Sequence, residues 1–182
     1  MDCNNVHEEN YHGYTITIEM DDDYQMEEDD GIFITAHNQH YFYVERDGFM
    51  GTNYGESHNG YHVFPLYAYI HSGVALALSR DSYPFTCPWD SGQIGYVFVS
   101  QQEFESRDDA HGAASGHVSE WNDVLSGNVW GYVIEDEDGM PGDSCWGFVG
   151  DYEYCLQEAR NVVDGWRWEE DQERQFHNAH CG

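Results

Sequence analysis

Along YTITIEM, Tyr14 to Met20, apolar and polar side chains alternate. Tyr14, Ile16, Ile18 and Met20 fall on one face, and Thr15, Thr17 and Glu19 on the other. A period of two marks a half-buried β-strand. GIFITAH (31–37) and HYFYVERDG (40–48) predict two further strands, the second closed by an Asp-Gly turn. VFPLYAYIHSG (63–73) and VALALS (74–79) predict two more. IGYVFVS (94–100) is almost unbroken apolar and aromatic sequence, which predicts a central strand covered on both faces. After it the period changes. Ser100 and Glu103 form an S-x-x-E capping box that predicts a helix start. HVSEWNDVLSG predicts a second helical piece, with Val118, Trp121 and Leu125 on one side and Gly127 as its stop. Strands over 129–135 and 144–149 flank an acidic turn. Asp151 predicts the N-cap of a last helix whose apolar stripe is Tyr154, Cys155, Ala159, Val162 and Val163.

Strands early and helices late give an α+β fold, with a mostly antiparallel sheet and two to three helices in the C-terminal half. The length of 182 residues predicts one domain over 1–182. Residues 19–30, of which eight are acidic, read as an acidic loop, and the charged segment 169–182 reads as a frayed tail.

Charge changes this picture most. Asp and Glu number 35 against six arginines, lysine is absent, and the net charge is −29. Such a chain repels nucleic acid and anionic membranes, so neither is expected as a direct partner. A basic nucleic-acid-binding protein of a host cell is the expected partner, and the sequence leaves a homodimer open. Spread over roughly 9,000 Å² of surface, the charge would be about threefold more dilute than that of duplex DNA, which carries one charge per about 1.7 Å of axis. Concentrated on one face it would match. The residues nominated for such a DNA-like surface are Asp21, Asp22, Asp23, Glu27, Glu28, Asp29 and Asp30 together with Glu135, Asp136, Glu137 and Asp138. The competing reading is salt adaptation, in which the carboxylates serve solvation alone.

The five cysteines have no secreted-scaffold spacing, and no apolar run is long enough to span a bilayer. These features predict a cytoplasmic protein with free thiols. Cys87, with His71 as base and Asp90 as orienting carboxylate beside Ser91, has the residue types of a thiol nucleophile. The plainer expectation is that the two Cys-Trp segments, CPWDSGQ (87–93) and DSCWGF (143–148), wall one core from two sides. Cys3, His7, His177, His180 and Cys181 would form a zinc set only if the termini met, and no C-x-x-C is present. Aligning Gly139 with the EF-hand glycine leaves Ile134 and Cys145 where the key carboxylates belong. No metal and no cofactor are therefore expected.

The segments FPLYAYIHSG, PFTCPWDSGQIGYVFVS, GNVWGYVIEDEDG and DSCWGFVGD resemble an uncharacterised family of small acidic proteins encoded by phages and plasmids, over about residues 64–100 and 127–156. Where family members carry an acidic residue before the His-Ser-Gly, this chain has Ile70. The resemblance implies a mobile-element setting and not an activity; that setting, with the acidity, favours an inhibitor of restriction or CRISPR nucleases.

Overall fold

The alternation at Tyr14–Met20 builds strand β2, which pairs antiparallel with β1 (Asn5–Tyr11) and with β9 (Val129–Glu135). Strand β10 (Pro141–Val149) closes a four-stranded sheet in the order β1-β2-β9-β10. The computed structural model describes residues 5–26, 30–38, 42–79, 83–87 and 89–180. The architecture is α+β: two antiparallel sheets, of four and six strands, and two helices, both in the C-terminal half. The chain divides into two compact units, one made of Met1–Tyr24 and Gly127–Gly182, the other of Gln25–Ser126. None of the helices is long and apolar enough to cross a membrane, among the described residues.

In the first unit, helix α2 (Tyr152–His180) lies on one face of the four-stranded sheet. Cys155, Leu156, Ala159 and Val163, at helical spacing, pack against Ile16, Ile18, Tyr132 and Ile134. Tyr154, expected on this stripe, is exposed, and Leu156 takes the place assigned to it. Asp151 caps the helix as expected: its Oδ1 accepts from the Glu153 amide at 3.1 Å. The helix continues to His180, through the segment read as a frayed tail. Glu, Gln and Arg dominate 169–175, and these are strong helix formers. A 29-residue helix is about 43 Å long. Every side chain from Arg167 to His177 is exposed, including Trp168 and Phe176.

Strand β1 was not expected, because NVHEENY has no apolar alternation. What holds it is polar. Arg160 on α2 forks onto Glu9, with Nε to Oε1 at 2.7 Å and Nη2 to Oε2 at 2.6 Å. The guanidinium holds the Glu9 carboxyl below the ordinary glutamate range. A carboxylate lowered on folding stabilises above its unfolded pKa, and the contribution is lost as pH falls through the folded value. Glu9→Gln is therefore expected to cost about 1 kcal/mol at pH 7, or about 4–8 °C in melting temperature for a unit of this size. Thermal unfolding of wild type and variant should show that gap closing in acid. A gap that persists unchanged at pH 3 overturns this assignment.

In the second unit, strands β3 (Ile32–Asn38), β4 (Phe42–Val44), β5 (Ser57–His58), β6 (Tyr61–Ile70), β7 (Val74–Leu78) and β8 (Ser91–Ser100) form the six-stranded sheet. Its order is β4-β3-β8-β6-β5, with β7 also on β6. The apolar run in β8 is central, as its sequence predicts. Val97 and Val99 face helix α1 (Arg107–Leu125), and Tyr96 and Phe98 join Phe33 and Val63 under Phe49, Tyr54 and Tyr61.

The helix start placed at Ser100 is corrected. Ser100 is the last residue of β8, where its amide donates to the Gly31 carbonyl at 2.7 Å. The N-cap is Ser106, which accepts from the Asp109 amide. One helix replaces two expected pieces, because Gly112 and Gly116 sit on its exposed side while Ala110, Ala114 and Val118 face the core.

Candidate functional site

Within the first unit, the two groups of acidic residues nominated from sequence do not form one patch. Thr15 pairs with Glu135 and Met20 with Trp130, so Asp21–Asp23 and Glu135–Asp138 lie at opposite ends of the four-stranded sheet. Asp22 and Asp23 are exposed, whereas Asp21 is half-buried and its amide donates to the Val129 carbonyl at 2.8 Å. Asp30 belongs to the other unit and pairs with Arg46. Glu27, Glu28 and Asp29 lie outside the described residues.

In the β9–β10 turn the four carboxylates have different tasks. Asp136 Oδ1 accepts from the amides of Asp138 (2.9 Å) and Met140 (2.8 Å), and Gly139 supplies the positive φ of 74°. Asp136 thus caps its own turn, which leaves Glu137 and Asp138 exposed beside half-buried Glu135.

The turn meets a second acidic element. Asp136, Glu137 and Asp138 share a hollow of about 280 Å³ with His12, Arg167 and Glu170. Asp164, Glu169, Asp171 and Glu173 lie on the same stretch of α2 and are exposed. The 169–173 stretch was legible as an acidic run. Its approach to residues 136–138 was not, because that follows from the length and direction of α2.

Arg167 lines this hollow and Arg174 pairs with Asp171 at 3.3 Å, so two cations sit within the acidic stretch of α2, whereas three other arginines are engaged by aromatic rings. Arg46 stacks over Phe33 at 3.8 Å, Arg107 over Phe64 at 4.4 Å and Arg160 over Tyr11 at 5.7 Å. Arg107 also donates to the carbonyls of Glu56 (2.7 Å) and Val63 (2.9 Å). Planar stacking with forked donation is work that lysine cannot do, which accounts for Arg kept where Lys is absent. The exposed surface of 11408 Å² carries one net negative charge per roughly 390 Å², more dilute than DNA by about three- to fourfold. Any DNA-like density would therefore have to be local.

The thiol constellation does assemble. The β6–β7 turn carries His71, and the segment before β8 carries Cys87 and Asp90. The Cys87 thiol donates to Asp90 Oδ2 at 3.6 Å, and His71 Nδ1 is 3.9 Å from the same oxygen. Ser91 is turned away, donating to the Cys87 carbonyl, and its hydroxyl lies 2.8 Å from that of Tyr83. The order is thiol, carboxylate, imidazole. A nucleophilic cysteine needs the imidazole against the sulfur and the carboxylate behind it, so this geometry does not deliver a thiol-activating base. Burial pushes the Cys155 thiol up to about 12, away from the nucleophilic thiolate form.

The expectation that both Cys-Trp segments wall one core is overturned. Trp89 is 92% exposed and Trp146 is 45% exposed, and the two fall in different units. Trp146 lies flat on Gly131, where a Cβ would stand 2.1 Å from the ring, while the neighbouring Tyr132 turns into the core under α2. Among the described residues no three His, Cys, Asp or Glu side chains are grouped as metal ligands would be. Comparison with protein-family models, with curated proteins and with solved structures finds no match for this chain.

Proposed function

We propose that this chain is a non-catalytic DNA mimic, which occupies the basic groove of a nucleic-acid-handling defence protein in the manner of an anti-restriction or anti-CRISPR inhibitor. The observation that carries the reading is the acidic end of the four-stranded sheet. There, a turn fixed by Asp136 presents Glu137 and Asp138 beside Glu170 of α2, around one shared hollow that Arg167 also lines. Mimicry needs negative groups at set positions rather than on floppy chain, because a groove built for phosphates rewards regular spacing. A turn closed by its own hydrogen bonds and a continuous helix both meet that need.

The partner is to be captured from a host lysate on the tagged protein and eluted with a salt gradient. With the captured protein in hand, Glu137→Arg, Asp138→Arg and Glu170→Arg together are expected to weaken binding at least a hundredfold. Asp136 is left intact, so that the turn survives. Wild-type affinity should fall on the order of a thousandfold between 50 and 200 mM salt if about six carboxylates replace phosphates. Affinity that changes with neither the substitutions nor the salt defeats the proposal. So does a chain that captures nothing and merely grows more stable toward molar salt, which is the signature of acidity used for solvation.

A further inference from the structure

We propose that the hollow beside Trp89 takes the side chain of an arginine on a basic polypeptide. This hollow, about 390 Å³, lies in the Gln25–Ser126 unit and does not depend on the acidic end of the other unit. Ala68, Ile70 and Ile94, toward the ends of β6 and β8, give it an apolar part, and Ser91 and Gln93 line it with polar groups. Asp90 supplies a carboxylate on one wall, and Trp89 stands at the rim with 92% of its surface in water. Between them Gly92 keeps the space open: a Cβ there would meet no atom within 4 Å.

Each part matches a part of arginine. The aliphatic stem lies along Ala68, Ile70 and Ile94, the planar guanidinium stacks on the indole, and its forked donors meet the carboxylate. Asp90 has room for them. The Cys87 thiol and His71 both approach Oδ2, which, among the described residues, leaves Oδ1 for an incoming donor.

The chain itself shows this pairing of ring and carboxylate twice. Arg46 stacks on Phe33 and pairs with Asp30, and Arg160 stacks on Tyr11 and pairs with Glu9. Trp89 with Asp90 is a third set of ring and acid, over which no described arginine is stacked. The charge of the chain selects the ligand's sign, since a protein at −29 disfavours any anion at this site.

The probe is the peptide acetyl-Gly-Arg-Gly-amide, read by NMR at the Trp89 indole N–H, which is assigned by its loss in Trp89→Phe. The resonance should shift and saturate at millimolar peptide. The lysine analogue should bind several-fold more weakly and the neutral citrulline analogue at least tenfold more weakly. A Cβ at Gly92 meets no atom within 4 Å, so Gly92→Val is the variant that puts bulk into the hollow, and Asp90→Asn removes the charge. Each should weaken binding at least tenfold while the other five indole signals stay in place, which certifies the fold. No shift at tens of millimolar peptide overturns the assignment. So does equal binding of citrulline, which marks a site for neutral hydrogen-bonding ligands such as sugars, or binding indifferent to Gly92→Val. The variant carrying Arg at 137, 138 and 170 should bind the peptide as wild type does, so the fate of the acidic end is read separately.

Discussion

Alanine at Gly95 is expected to unfold the Gln25–Ser126 unit while the other unit stays folded. Gly95 sits in β8 opposite Ala36 of β3, next to a register shift in the pairing of β8 with β6. An added Cβ would lie 1.7 Å from the Thr35 carbonyl oxygen and 2.7 Å from its carbon. Both are backbone atoms, so no flexible side chain can yield. The strands would have to part, and with them the packing of Ile34, Val97 and Val99 beneath α1. Such changes cost more than about 4–5 kcal/mol, against a total of about 5–15 kcal/mol for a typical domain. Amide hydrogen exchange should show protection lost across residues 25–126 and kept in β2, β9 and α2. Gly92→Ala in the same strand, with open space around the new methyl, should be nearly neutral. A Gly95→Ala protein that melts within a few degrees of wild type removes this account of the glycine.

The second large effect concerns the unit left standing. Residues 25–126 are inserted between β2 and β9, and the two ends of that insertion are tied together: Met20 pairs with Trp130, and the Asp21 amide donates to the Val129 carbonyl. Replacing residues 22–128 by Asn-Gly should therefore join β2 to β9 as a tight hairpin. The product would be a four-strand meander followed by α2, with the core of Ile16, Ile18, Tyr132, Ile134, Leu156 and Val163 unchanged. It should give a cooperative thermal transition and keep the helical circular dichroism of α2. Loss of both would show that the small core depends on the inserted unit.

How legible this was depends on the type of signal. Strands β2, β3, β6, β8 and β9 carry strong alternation or long apolar runs, and the sequence located each of them. Strand β1 was silent because Glu9 is bound through an ion pair to Arg160, a residue 151 positions away. Ser100 and Ser106 both head an S-x-x-acid pattern, and only tertiary pairing of Ser100 at the end of β8 decides between them. The division into units was hidden for a related reason. No glycine-, proline- or serine-rich linker marks residues 24–25, and Gly127 reads simply as a helix stop. At the candidate sites, His71, Cys87 and Asp90 were nominated together and do meet. Their order in space, which decides the chemistry, has no trace in their spacing. The meeting of residues 136–138 with 167–170 likewise needed the path of α2.

The insertion also bears on the order of events during synthesis. Strands β1 and β2 leave the ribosome before any of the inserted unit, and β9 only after all of it. Closing so long a loop is entropically slow, and a two-stranded ribbon alone in water is marginal. For the whole of that interval β2 offers unpaired amides along the edge that β9 will occupy. Charged residues on exposed strands are the usual guard against aggregation, and Glu8, Glu9 and Glu19 border this ribbon on both strands. Through that interval these carboxylates repel the like-charged hairpin of another nascent chain, so acidity disfavours edge-to-edge pairing while β9 is still to come.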